Sequence, residues 1–282
     1  MPCSAITLSL ATICAVVSVA LLAIAFGTDN WQYIKVDRID IEKALSRSDI
    51  SPTEFENSGF YRTRTKGLFR VCYPESKPKG EELYLSPVET YCQNIDYHIF
   101  NEESDTSVFT DDEMVRLHMA RSMIALFIVS FFFVFVAFWT GVVGCWRRSP
   151  GNIAFTAILM LLACLFSAGG MGLWHGVEYY EEEKLKTEPW KASWDQLLRD
   201  NTAVMYDWSY FIAWIGVGWA LISALLFSGA SVCLRSERER EDAKNMAYLM
   251  PVYPQKQQYP SYGYGYPGPY HFGSQYGPYN NY

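Results

Sequence analysis

The sequence predicts an all-α membrane fold: a left-handed bundle of four transmembrane helices carrying a small extracellular antiparallel β-sheet. Three observations carry that prediction. Four long runs hold no charged side chain, the polar stretch between the first two contains short aromatic and β-branched segments, and only that stretch places two cysteines outside the apolar runs and their far ends.

The first run, Ala5–Phe26, is free of charge over 22 residues. Ser122–Cys145, Ile153–Trp174 and Trp208–Leu234 are equally uncharged. A helix needs about 20 such residues to cross roughly 30 Å of hydrocarbon. The alternative for the first run is a cleaved signal peptide, with Ala23, Ile24 and Ala25 as the cleavage motif. No Lys or Arg precedes the run and its apolar part exceeds the usual signal-peptide core, so it is read as a retained helix.

Basic residues near the span ends set the expected orientation. Arg147 and Arg148 lie on the short link after the second span, and Arg235, Arg238, Arg240 and Lys244 follow the fourth. The positive-inside bias therefore places both termini in the cytoplasm. The segments Gly27–His118 and Val177–Tyr206 then lie outside. The first holds 18 acids against 11 bases, a net of −7, and the second seven against four. This acidic balance reads either as ordinary surface solvation or as a field suited to cations or a basic partner.

The seven cysteines divide by compartment. Cys14 and Cys164 fall inside spans, where they pack as small apolar groups. Cys3, Cys145 and Cys233 sit at cytoplasmic ends, where thiols stay reduced, and Cys145 and Cys233 are candidate palmitoylation sites. Cys72 and Cys92 alone face the oxidising side, which makes one disulfide between them the economical assignment. Two cysteines at this spacing with no adjacent histidine make a poor metal site.

Small residues at four-residue spacing predict how the helices approach one another in lipid. They are Ala11, Ala15, Ala23 and Gly27 on the first span, and Ala137, Gly141 and Cys145 on the second. Cys164, Ala168, Gly172 and Gly176 follow on the third, and Gly216, Ala220, Ala224 and Ser228 on the fourth. No span contains a carboxylate, lysine or histidine in its interior, as a proton or ion pathway would need. Arg121 and His175 stand at outer span margins and read as interfacial anchors, Arg121 within reach of Asp112 or Glu113.

In the long outer segment, residues 30–36, 67–73 and 88–97 read as short strands. Asp37–Ser58 has no clear periodicity and reads as a polar insertion. Thr110 with Glu113 three residues on is a capping box, so an outer helix is expected to begin there and run into the second span. A Glu182–Lys186 pair extends the third helix above the membrane, with Pro189 as its stop. The domain plan is thus a membrane body over 1–234, a charged juxtamembrane segment over 235–250, and a Tyr/Pro/Gly-rich tail over 251–282 expected to be disordered.

A tryptophan just past the first span, a Gly-Leu-aromatic turn and two cysteines, in that order on four helices, form a recognisable set. Trp31, Gly67, Leu68, Phe69, Cys72 and Cys92, with Arg121 heading the second span, resemble the claudin / peripheral myelin protein / calcium-channel gamma-subunit superfamily. Phe69 stands where that family carries tryptophan, and the Trp31-to-Gly67 spacing is longer than in claudins. "GTDNW" (27–31) and "YDWSYF" (206–211) resemble the gamma-subunit branch more than barrier claudins. The resemblance implies a sheet held by Cys72–Cys92, with Trp31 and the Gly67–Phe69 turn docked on the bundle.

No nucleophile, base or phosphate-binding loop accompanies the acids, so no enzyme, cofactor or nucleic-acid reading arises. Three functions are expected instead: an auxiliary subunit regulating the gating or trafficking of a channel or receptor, a cell-junction component meeting itself in cis and trans, or a membrane organiser acting through its tail. All three place the chain in the plasma membrane among lipid and other membrane proteins, the junction reading at cell–cell contacts.

Overall fold

Long uncharged runs leave the backbone one way to satisfy its polar groups in hydrocarbon, by internal hydrogen bonds. The computed structural model accordingly contains four helices long and apolar enough to span a membrane. It describes residues 3–44, 51–80, 82–97, 110–186 and 190–249. The spanning helices are α1 (Cys3–Gly27), α4 (Asp111–Arg147), α5 (Pro150–Tyr179) and α7 (Trp208–Leu249). Between them lie β1 (Gln32–Val36), α2 (Arg38–Ala44), α3 (Pro52–Asn57), β2 (Arg64–Lys66), β3 (Arg70–Tyr73), β4 (Tyr84–Leu85), β5 (Tyr91–Asn94), α6 (Gln196–Asp200) and β6 (Thr202–Tyr206). The chain divides into a unit of Met1–Arg240, treated below, and one of Glu241–Tyr282, whose described part is the exposed, charged end of α7. The tail over 251–282 lies outside the described residues.

The capping box is present in full: Thr110 Oγ1 accepts from the Glu113 amide, and the Glu113 carboxylate accepts from the Thr110 amide. α4 starts there and continues unbroken through the second span. α5 ends differently from expectation. It passes into a π-helical turn, Tyr180–Lys184, and stops at Leu185, ahead of Pro189, which lies outside the described residues. Glu182, on that turn, pairs with Lys191 instead of forming the expected i,i+4 pair with Lys186.

Burial along α1 falls at Ala11, Cys14, Ser18, Leu22 and Ala25, and along α7 at Ala213, Val217, Ala220, Ala224 and Phe227. This alternation of three and four residues is the seven-residue repeat of a left-handed bundle. The ridges read at strict four-residue spacing are only partly used. Ala11, Ala137, Gly141, Cys164, Gly216, Ala220 and Ala224 are buried, whereas Ala23, Cys145, Gly172 and Ser228 face outward. Four steps of 100° overshoot a full turn, so a strict four-residue row drifts off the contact face. At Gly216 a Cβ would sit 2.9 Å from Leu22 Cγ, which shows how near α1 and α7 come. Buried hydroxyls tie the helices: Ser18 Oγ donates to Gly216 O (2.8 Å), Ser223 Oγ to Ala11 O (3.0 Å) and Ser130 Oγ to Ala163 O (2.8 Å).

At one end of the bundle stands an antiparallel sheet of order β4-β5-β3-β2-β1-β6. The three expected strands are β1, β3 and β5. The strand from the second loop, β6, completes the far edge by pairing with all five residues of β1. Asp37–Ser58 is not simply a polar insertion. Its described parts form α2 and α3, which bury Ile41 and Phe55 with Ile34, Val36, Tyr61 and Leu198 in a separate core. Residues 45–50 lie outside the described ones.

Candidate functional site

The sheet is joined to the bundle by side chains that the sequence motifs supply. Trp31, just past α1, is fully buried. Its ring lies 5.0 Å from that of Trp174 and 6.1 Å from that of Phe127, and its Nε1 donates to Ala25 O at 2.8 Å. That carbonyl is one of those a helix end leaves without an intrahelical partner. Gly67 opens the β2–β3 turn, its amide donating to Arg70 O at 2.8 Å. A Cβ there would sit 2.5 Å from Asp29 Cα, so only glycine lets the turn lie against the α1–β1 link. Leu68 then drops into the bundle core, and Phe69 packs edge-on against Phe26 with centroids 5.1 Å apart. Phe69, the aromatic of that turn, thus reaches the end of α1.

Arg121 does not pair with Asp112 or Glu113. Glu113 is held in the capping box, and the Arg121 guanidinium donates twice to the Tyr97 carbonyl, at 2.8 and 2.6 Å. Tyr97 in turn donates its hydroxyl to Leu68 O at 2.6 Å. Burial pushes the Tyr97 phenol up to about 12, so it remains a donor at neutral pH. A chain thus runs from α4 through the segment after β5 to the Gly-Leu-Phe turn. Asp29 and Arg70 form a second tie at 2.7 Å. Burial pushes the Asp29 carboxyl above its ordinary value, against the pull of the guanidinium.

The residues of "GTDNW" and "YDWSYF" meet. Thr28 Oγ1 and Ser209 Oγ are 2.8 Å apart, Asn30 Nδ2 donates to Asp207 Oδ2 at 2.9 Å, and the amides of Asp207 and Ser209 donate to Trp31 O and Asn30 O. The entry to α7 is thereby clasped to the exit of α1.

One constellation had no signal in the sequence. Glu181, on the π-helical turn, accepts from Arg116 Nε (2.9 Å) and Nη2 (2.5 Å) on α4 and pairs through its other oxygen with Lys66 of β2. All three are largely buried. Arg116 stacks 4.3 Å from the Trp190 ring. Burial opposes charge on Glu181, but the two flanking cations hold its carboxyl below the usual range. Burial, with Arg116 adding to it, draws the Lys66 ammonium below its ordinary value although Glu181 opposes the change. Nearby, Glu178 accepts from Gln32 (2.8 Å) and Tyr206 (2.6 Å), and His175 bridges Glu178 and Tyr210 at the outer end of α5. Among the described residues, no group of three or more His, Cys, Asp or Glu is placed to hold a metal ion.

The family model described as "PMP-22/EMP/MP20/Claudin tight junction" matches residues 16–229, from within α1 to within α7. The chain belongs to this claudin family. No curated protein matches it. As a claudin-family chain with four spanning helices, it is a multi-pass membrane protein.

In this claudin-family protein Cys72 and Cys92 stand directly opposite on β3 and β5 and form a disulfide. A loop of sequence separation 20 is closed, which the chain-entropy model puts at about 3 kcal/mol. Cys72→Ser, Cys92→Ser and the double variant are therefore expected to lose the same thermal stability in non-reducing detergent; an additive loss would rule out a shared bond. Gly67→Ala is expected to destabilise by about 1–3 kcal/mol, as overpacking against backbone does. The check is a melting curve beside that of Gly218→Ala, whose Cβ would meet nothing within 4 Å. Of the two cysteines expected to take palmitate, Cys145 is a free, exposed thiol.

Proposed function

We propose that this claudin-family chain is a non-enzymatic auxiliary subunit of the plasma membrane, with cytoplasmic termini, that packs laterally on an ion channel or receptor and regulates its gating or trafficking. The observation that carries the reading is the clasp between Thr28–Trp31 and Asp207–Ser209. Both halves lie in the segments that resemble the gamma-subunit branch, and they act on each other as one unit. Outward aromatic faces on the spanning helices, Phe132 and Trp139 on α4 and Phe211 and Trp214 on α7, supply apolar surface for a transmembrane partner.

A second reading follows from the family's description as a tight-junction family: a junction component whose acidic outer segment selects paracellular ions. Extraction in mild detergent with affinity capture and mass spectrometry tests between them. Stoichiometric recovery of a pore-forming subunit supports the first. Recovery of only further copies of this chain and junction scaffolds overturns it in favour of the second.

A further inference from the structure

Among the described residues, the seam of the bundle between α1 and α4 stands open. Near the sheet, α1 and α4 are held together by Phe26 against Phe127 and Phe131. Farther from the sheet each helix keeps to another neighbour. α1 follows α7, through Ser223 and Ala11, while α4 follows α5, through the Thr140–Thr156 hydroxyl pair at 2.9 Å. The gap between α1 and α4 is an apolar groove of about 760 Å³, walled by Val16 and Val19 on one side and Phe135, Phe138 and Val142 on the other. That volume falls within the range of ligand sites. The α4 wall extends from Phe131 to Trp146, about 22 Å at 1.5 Å per residue. One leaflet of the hydrocarbon is about half of 30 Å, so the groove is as long as one acyl chain and its ester region.

The groove has a polar end. Cys145 borders both it and a smaller recess of about 150 Å³ edged by Arg148 and Glu237. Arg147, the last residue of α4, and Arg148, which caps it, are both exposed, and no acid stands between them and α5. The N-terminus of the 30-residue α5 begins two residues later at Pro150, and its unpaired amides favour an anion. Trp146 beside them is 89% exposed, the setting of an aromatic ring at headgroup level.

We propose that this groove retains one acyl chain of an anionic membrane phospholipid, with the headgroup phosphate set against Arg147, Arg148 and the start of α5. Length, apolar walls and positive mouth match a phospholipid of the leaflet at this end of the bundle. A neutral sterol would leave the arginines unused.

Native mass spectrometry of the full chain, delipidated in mild detergent and re-exposed to phosphatidylserine or phosphatidylcholine, tests the proposal. Phosphatidylserine is expected to be retained preferentially, by about fivefold for each arginine that meets the headgroup. Arg147→Gln with Arg148→Gln is expected to bring the two lipids to parity, and Val16→Phe with Val142→Phe to abolish retention of both. Equal retention of the two lipids by the unaltered chain overturns the proposal. Because the filled-groove variant can fail by misfolding, a phosphatidylserine with a photoactivatable acyl chain is cross-linked to the unaltered protein. Adducts concentrated on Val16, Val19, Phe135 and Phe138 support the site. Adducts spread equally to outward residues of other faces, such as Leu165 and Leu225, overturn it.

Discussion

Glu181→Ala is expected to destabilise the protein by about 3–5 kcal/mol, the range for removing one partner of a buried ion pair. The loss is large because Lys66 and Arg116 remain, two cations enclosed by Trp174 and Trp190 with their shared carboxylate gone. Lys66→Met is expected to do much less harm, since Arg116 still neutralises Glu181 through two hydrogen bonds. Thermal melts of the two variants in the same detergent check the asymmetry; equal losses would mean that the three groups do not act as a unit. The acid limb gives a second readout. The Glu181 carboxyl is held below its ordinary value of 4.5, so its contribution is complete above the unfolded value and is lost as pH falls through the lower folded one. The gap between the unaltered protein and Glu181→Gln should therefore be constant near neutrality and close only below about pH 4.5. For Lys66 the folded value lies below the unfolded 10.5. The unfolded chain binds more protons between the two values, and stability rises with pH across that window.

Trp31→Ala is expected to cost about 3–5 kcal/mol, as for a buried aromatic cut back to a methyl group. It would open a cavity between Phe127, Trp174 and Leu68 and leave Ala25 O at the end of α1 with only the longer contact from Thr28 Oγ1, at 3.3 Å. Trp31→Phe keeps much of the ring contact and loses the hydrogen bond, a smaller change of about 1 kcal/mol. Melting curves, with surface delivery in cells as a second readout, check the order. A Trp31→Phe loss as large as that of Trp31→Ala would shift the weight from ring packing to the hydrogen bond.

These two sites differ in how far they could be read in advance. Trp31, Gly67, Leu68, Phe69, Cys72 and Cys92 form an ordered motif in the sequence; in the fold Trp31, Leu68 and Phe69 pack in or against the bundle core, Gly67 lies against Asp29 and Cys72 is bonded to Cys92. Arg121 was legible as a residue at the outer margin of the second span but not in its partner, because a backbone carbonyl leaves no mark in a sequence. Lys66, Arg116 and Glu181 were illegible altogether. They lie up to 115 positions apart, in segments whose many charges read as solvated surface. β6 was missed for a related reason, since a five-residue strand at a sheet edge is defined by the ladder it joins. Ile41 and Phe55 were lost in a segment without periodicity, as each helix there is too short to show one.

Composition alone decided that the chain crosses the membrane four times, because a charge-free run of about 20 residues has nowhere else to satisfy its backbone and bury its side chains. Local spacing likewise decided where α4 begins, and the division of the chain between compartments decided which cysteines could join. Tertiary structure decided what distance along the chain conceals: which small residues face another helix, which charges are withdrawn from water, and which seam of the bundle stays open. Those outcomes depend on how helices and sheet pack in three dimensions, and packing joins residues without regard to their separation in sequence.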